Sequence, residues 1–312
     1  MPFKNSSAYI REAIHSISTQ TYDRWELIAI DDHSTDHSPE LVRELSKNDF
    51  RIRLFSARGN GIIDALTQAL EESRGIFITR FDSDDIMPQH RLELMINALY
   101  QQPENVIITG LLKYISSEPI SKGYLKYETW INKIALNNKQ WTNIYRECTI
   151  ASPNWLAYKN AIERIGGFKN LEYPEDYDLI FLWYKHHFII KTLTSITLHW
   201  REHPSRTSRI SSNYTQQTFF RLKIKRFIEI DYDPSRPLVI WGKGIKANIA
   251  KANLKAHSVL FKNHELHEYK KIELENNPFL LIAIYPDQEE RNKIESYLER
   301  LETTMTIDWW YL

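Results

Sequence analysis

The sequence predicts an α/β protein with mostly parallel strands, and three observations carry that prediction. Short runs of bulky and β-branched residues alternate with stretches of helical periodicity through the N-terminal part. Carboxylates cluster where those runs end, at Asp31-Asp32 and again at Asp82-Ser83-Asp84-Asp85. After Asp233-Pro234-Ser235-Arg236-Pro237 the strand–helix pattern restarts, which predicts a second, smaller α/β unit.

The elements follow in order. Met1-Pro2-Phe3-Lys4-Asn5 leaves almost no room for a strand before the first helix, so the first strand is expected to be truncated. The helix starts after Ser6 or Ser7, either a good N-cap, and Ile10, Ala13, Ile14 and Ile17 recur at helical spacing. A strand at 25–30 runs into Asp31-Asp32-His33-Ser34-Thr35-Asp36, and a helix spans 39–46. A third strand at 52–55, the loop Gly59-Asn60-Gly61 and a helix over 62–73 come next. Residues 75–79 read as a buried strand, closed by Arg80-Phe81-Asp82-Ser83-Asp84-Asp85 and Pro88. A helix over 91–100 and a strand over 106–110 follow.

Residues 114–146 read as irregular, with Tyr124, Tyr127, Trp130, Trp141 and Tyr145 among polar neighbours. Such aromatics suit a sugar-facing surface, or act as pegs that hold a loop-rich segment to the core. Glu175-Asp176-Tyr177-Asp178 opens a helix that runs to 185. Acidic side chains favour a first helical turn, so capping alone accounts for Glu175 and Asp176 as well as chemistry does. Strand-like pieces fill 189–198, and 199–209 is the densest cationic and hydroxylated stretch. Arg and Ser at loop positions suit diphosphate oxygens; a solvated basic loop is the plain alternative.

A connector helix carrying Phe219, Phe220, Leu222, Ile224, Phe227 and Ile228 leads to the second unit. There a strand at 238–241 meets Gly242-Lys243-Gly244-Ile245-Lys246-Ala247, which resembles a dinucleotide fingerprint. Glu265 is a loose candidate for its ribose-binding acid. A strand at 279–284 and a helix over 288–301 complete the unit, for which a structural or assembly role is the preferred reading.

At 312 residues the chain suits one large domain or two ordinary ones. Hydrophobic residues make 42% and charged residues 26%, as in a soluble globular protein. Lys+Arg and Asp+Glu are both 40, which argues against nucleic acid and strongly anionic membranes as partners and makes any phosphate site local. Cys148 stands alone, so no disulfide forms within the chain and a reduced, cytoplasmic setting is favoured. No stretch approaches the ~20 apolar residues of a membrane span, and the N-terminus has no signal-peptide pattern.

In an extended segment Asp82 and Asp84 would share one side and Asp85 the other. Carboxylates that close repel unless a cation lies between them. A hard divalent ion, Mg²⁺ or Mn²⁺, suits such oxygen ligands. Taken alone, an acidic turn in water explains the cluster equally well.

Several motifs in order break that tie. Residues 14–22 resemble the helix end of family 2 glycosyltransferases, which have the GT-A fold. Glu26-Leu27-Ile28-Ala29-Ile30-Asp31-Asp32-His33-Ser34-Thr35-Asp36 resembles their "ELIiVDDgSTD" element, with His33 where that family usually has Gly. Arg80-Phe81-Asp82-Ser83-Asp84-Asp85 resembles the DXD site, Glu175-Asp176 the "ED" base motif, and residues 200–209 the closing "yRxHxxSxS" loop. The resemblance covers about two thirds of the chain and implies a GT-A domain at 1–214, a helical connector at 215–234 and a small Rossmann-like domain at 235–312.

Carried over by position, the resemblance implies roles. Asp31 or Asp32 would accept from the nucleotide base, and Pro2 and Phe3 would line its pocket. Asp82 would meet ribose or metal, and Asp84 would ligate a divalent metal, Mn²⁺ or Mg²⁺. Asp176 would be the general base. His203, Arg206 and Ser208 would meet diphosphate or metal. The implied activity is inverting transfer of a sugar from a nucleotide donor, with UDP the favoured nucleotide, to a glycan or lipid-linked acceptor. The setting is cytoplasmic, with room for peripheral association at the inner face of the cell membrane. Two other readings stay open: a nucleotidyltransferase, and a degenerate glycosyltransferase-like binding protein.

Overall fold

The computed structural model describes residues 1–284 and 288–312, which form two compact units. The first comprises Met1–Lys139 and Thr149–Ile210; the second comprises Gln140–Cys148 and Ser211–Leu312. A nine-residue excursion from mid-chain thus belongs to the second unit, as does the connector helix.

The first unit opens with β1 (Pro2–Phe3), α1 (Ile10–Ser18), β2 (Leu27–Asp31), α2 (Ser38–Asn48), β3 (Ile52–Ser56) and α3 (Ile62–Glu72). It continues with β4 (Phe77–Ile78), α4 (Arg91–Leu99), β5 (Val106–Ile115), α5 (Lys122–Leu136), β6 (Trp155–Tyr158), α6 (Lys159–Arg164), α7 (Glu175–Lys185), β7 (Ile189–Arg201) and α8 (Thr207–Ile210). Strands β1, β2 and β3 make a parallel sheet in that order. The short β1 is a genuine strand: Pro2 and Phe3 pair with Ile30 and Asp31. Ile10, Ala13, Ile14 and Ile17 of α1 are buried with Phe3, Leu27 and Ala29, so the 3.6-residue period predicted from sequence is the core face.

A second sheet, ordered β4-β6-β5-β7, is mixed: β6 runs antiparallel to β4 and β5, and β7 runs parallel to β5. Here three expectations need correction. The strand expected at 75–79 shrinks to two half-buried residues, with Ile76 exposed, and ahead of it Glu26 Oε1 accepts from the backbone N–H groups of Arg74 and Gly75. The strand-like pieces at 189–198 are one thirteen-residue strand. Residues 122–136, expected to be irregular, are helix α5, capped by Ser121. Tyr124, Tyr127 and Trp130 on α5 pack against the core of the first unit, so they act as pegs.

Buried Asn154 ties this sheet together. Its Nδ2 donates to Gly110 O at 2.8 Å, its Oδ1 accepts from Thr197 Oγ1 at 2.6 Å, and its carbonyl accepts from Thr109 Oγ1 at 2.6 Å. Leu in its place removes the Asn154 donor from Gly110 O and leaves the Thr197 hydroxyl only its longer contact to Leu111 O at 3.4 Å, at about 1–3 kcal/mol for each loss. Asn154→Leu is expected to lower Tm by about 5–10 °C, read by differential scanning calorimetry; an unchanged Tm would show that the network adds nothing.

The second unit holds α9 (Gln216–Ile230), β8 (Leu238–Trp241), α10 (Ile245–Ala256), β9 (Lys262–His264), β10 (Phe279–Ile282), α11 (Gln288–Arg300) and β11 (Trp309–Tyr311). Its four strands are all parallel, ordered β11-β10-β8-β9. Gly242 turns the chain from β8 to α10 at φ +141°, and a Cβ there would meet Ala283 O at 2.9 Å, so that position requires glycine. Glu265 follows β9, the neighbour of β8, and pairs with Lys243 at 3.0 Å. Among the described residues no helix is long and apolar enough to cross a membrane.

Candidate active site

Each sheet of the first unit leads into one acidic loop, the first from β2 and the second after β4, on the carboxyl side of the strand, where ligands gather in α/β folds. After β2, Asp31 Oδ1 accepts from Ser34 N at 3.0 Å and so shapes the turn. His33 takes φ +58°, the left-handed conformation a glycine would adopt. His33 Nε2 lies 2.9 Å from Gly59 O, so the side chain fastens the turn that its backbone already permits. Asp32 is buried; its Oδ1 accepts from Gly61 N at 2.9 Å, and Lys4 Nζ lies 3.8 Å from Oδ2. Gly61 reaches that bond at φ +87°, at the N-terminus of α3. Pro2 and Phe3 lie beside this loop in β1, and Phe3 O accepts from Asp32 N at 2.9 Å. The predicted base-binding residues therefore form one contiguous group.

The second loop departs from the extended form expected of it. Residues 83–84 make a turn, and Asp85 N donates to Asp82 O at 3.4 Å. The turn brings Asp85 to the same side as Asp82 and Asp84, and one carboxylate oxygen from each lies within 4.8 Å of the others. Ser83 Oγ meets Ser6 Oγ at 2.7 Å, fastening the knot to the segment after β1.

Asp85 is fully buried. Burial pushes its carboxyl well above the usual range, and neighbouring Asp84 and Asp82 push it further. Its Oδ1 accepts from Arg201 N at 2.8 Å, whereas its Oδ2 has no hydrogen-bond partner. A buried carboxylate oxygen without a donor, beside two further carboxylates, is a donor set for a hard divalent cation. Asp84, Asp82 and Asp85 would hold such an ion.

Strand β7 carries the cationic segment to this knot. Arg201 Nε donates to Asp84 O at 2.6 Å. His203 Nε2 lies 2.9 Å from Asp84 Oδ2, and its ring packs on Tyr9 with centroids 4.5 Å apart. Arg206 lies over Trp200, with Nη1 3.2 Å from Glu202 Oε2. Burial alone would lower the Arg206 pKa, but Asp85, Tyr114 and Asp84 outweigh it and raise the value. Ser208 stands exposed on α8. The structure thus brings His203 and Arg206 to the knot and leaves Ser208 facing solvent.

Asp176 occupies the first turn of α7, where its Oδ1 accepts from Tyr177 N at 2.8 Å. Burial raises its pKa to about 7; the Glu175 charge adds to the rise and Arg80 opposes it. The sequence reading gives Arg80 no role of its own and Glu175 only that of a helix cap beside Asp176. Arg80 is buried; Nε lies 3.1 Å from Asp82 Oδ1, and Nη1 lies 3.2 Å from Glu175 Oε1. The available signal was a cation two residues ahead of an acidic knot, on a side that period two makes common with Asp82.

Glycosyl transferase family 2 matches residues 1–165, just over half of the chain. The chain belongs to this family. GlyA of Streptococcus pneumoniae, a glycosyltransferase, is 27% identical over 145 residues, which cover 46% of this chain and 21% of that protein. The glycosyltransferase GlyG of the same organism is 30% identical over 119 residues, 38% of this chain and 40% of GlyG. The chain therefore spans less than half the length of these relatives. Among solved structures, TarS 1–349 of S. aureus with UDP-GlcNAc aligns at TM-score 0.54 and 17% identity, over 82% of this chain and 70% of that one. The mannosyltransferase PcManGT of Pyrobaculum calidifontis, with GDP-Man and Mn²⁺, aligns at TM-score 0.56 and 14% identity, over 98% and 80%. The first unit of this family 2 member has the mixed, mostly parallel α/β architecture of the GT-A fold, as predicted.

Proposed function

We propose that this family 2 member transfers a sugar from a nucleoside diphosphate donor to a hydroxyl acceptor, with inversion at the anomeric carbon. The observation that supports this most is the pairing of two acidic sites with different surroundings. One is the three-carboxylate knot with His203 against it; the other is Asp176 on α7, whose carboxyl is raised to about 7. A leaving diphosphate needs the first and an attacking hydroxyl needs the second.

In this reading the base rests on Asp31, Asp32, Pro2 and Phe3, and the diphosphate lies between the knot and the segment carrying His203, Arg206 and Ser208. A bound Mn²⁺ or Mg²⁺ would neutralise charge on the diphosphate as it leaves. Arg206, held by charge opposite Asp85 and Asp84, supplies a further cation for the same oxygens. Asp176 accepts the proton of the acceptor hydroxyl as its oxygen attacks the anomeric carbon. A pKa near the operating pH lets it be ionised and still basic enough for that transfer. UDP is the favoured nucleotide; the two solved relatives hold UDP and GDP sugars. The acceptor is a glycan or lipid-linked sugar, reached from the cytoplasm.

Rising pH is expected to raise turnover until Asp176 is ionised, with the acidic limb bending near pH 7 and falling about tenfold per unit below it. A limb bending near pH 4 would contradict the assignment. The reading itself is tested by a thermal-shift panel of UDP- and GDP-sugars with Mn²⁺ or EDTA. One nucleotide at about 100 times its Kd should stabilise the chain by about 2.7 kcal/mol, and only with metal. No shift with any nucleotide would overturn it in favour of a degenerate binding protein.

A further inference from the structure

Arg80 touches both acidic motifs: Asp82, two residues on, and Glu175, 95 positions away in sequence. Its Nε and Nη2 reach Asp82 Oδ1 at 3.1 and 3.0 Å, and its Nη1 reaches Glu175 Oε1 at 3.2 Å and also Ser152 Oγ. Ser152 and Glu175 are buried, Glu175 at 1% exposed, and Asp82 is half-buried. Arg80, Ser152, Glu175 and Asp176 also line one cavity of about 10 Å³. A guanidinium has a rigid planar fork with five donors, so carboxylates held at two of its edges are fixed in direction as well as distance.

Position along the chain turns that contact into a functional one. Glu175 is the first residue of α7 and Asp176 the second, so a clamp on Glu175 fixes the helix start from which Asp176 projects. Asp82 belongs to the knot within 4.8 Å of Asp84 and Asp85. We propose that Arg80 is a positioning residue, a fork that sets the distance between the leaving-group site and the base. The claim rests on Asp176 being the base, and it adds a requirement that the motifs themselves do not state. Neither acid is placed for chemistry unless one buried cation holds both.

Lysine tests this, because it restores charge without the fork and reaches only one of the two carboxylates. Arg80→Lys, Glu175→Gln, the double variant and Asp176→Asn are compared in the full chain. Turnover is read as nucleotide released from a panel of UDP- and GDP-hexoses, UDP affinity with Mn²⁺ by calorimetry, and Tm by scanning. Arg80→Lys is expected to lose about 100-fold in kcat, the cost of a misplaced reacting group. Donor KM and UDP affinity should change far less than kcat, because Asp84 and Asp85 of the knot keep their places, and Tm should fall by a few degrees, because one buried carboxylate loses its partner. The double variant should be no worse than the poorer single one, because the two side chains act as a unit. Arg80→Lys with wild-type kcat, a loss confined to KM, or multiplying effects in the double variant would each overturn the proposal. An active Asp176→Asn would instead remove the base reading, so the two failures are told apart.

Discussion

Asp176→Asn is expected to lower sugar transfer by about 10²–10⁴-fold, the usual worth of a placed general base. The substitution keeps the shape of the side chain, and its amide oxygen can still accept from Tyr177 N, so α7 starts as before. What it removes is proton affinity. It also removes a destabilising charge. The carboxyl has a pKa of 3.8 when unfolded and about 7 when folded. Between those values the folded state binds a proton that the unfolded state has lost, so stability falls as pH rises through that window. Below it the group is neutral in both states and costs nothing; above about pH 7 the whole penalty applies. At ~1.4 kcal/mol per pKa unit, and with part of the side chain open to solvent, the penalty is roughly 1–4 kcal/mol. Asp176→Asn should therefore melt higher than wild type at pH 8 and equally at pH 3.5. A dead variant that gains stability is the signature of a functional acid. Loss of activity together with loss of Tm at pH 8 would point to a capping role instead.

Asp84→Asn has the second large effect, on binding as well as turnover. Asp84 sits at the centre of the knot: His203 meets its Oδ2, Arg201 meets its carbonyl, and Asp82 and Asp85 are its charged neighbours. Losing its charge removes one hard oxygen ligand and relieves the repulsion that raises the Asp85 carboxyl. The chain should fold at least as well as before, because no buried hydrogen bond is stranded. Removing one partner of a charged contact commonly costs about 2–5 kcal/mol in binding, so UDP affinity in Mn²⁺ should fall by about 100-fold or more. Calorimetry in Mn²⁺ and in EDTA checks this; the two titrations should coincide for the variant and differ for the wild type. If Asp84→Asn kept the metal response, the ion would lie elsewhere.

Particular residues show how far the sequence alone reaches. Asp31-Asp32 and Asp82-Ser83-Asp84-Asp85 were legible as strand-end acids, because strands of apolar residues closed by turn formers leave one register. The unusual His33 was legible as a departure, but only the backbone shows that histidine adopts the glycine conformation. Asp85 was assigned to the wrong side, since period-two reasoning holds in a strand and fails in the turn at 83–84. Helix α5 was missed although Tyr124, Tyr127, Trp130, Ile131 and Ile134 recur at spacings of three and four. The pairing of Arg80 with Glu175 was not legible, because an ion pair across 95 residues leaves no local pattern. The same holds for Gln140–Cys148, whose place in the second unit is set by packing such as Tyr145 against Trp310 and Phe227.

The central claim is a division of labour between the knot and α7. The most direct test measures UDP affinity in Mn²⁺ for wild type, Asp84→Asn and Asp176→Asn side by side. Asp176→Asn should bind like wild type, and Asp84→Asn about 100-fold or more weaker. Equal affinity in all three, or equal loss in both variants, would contradict it.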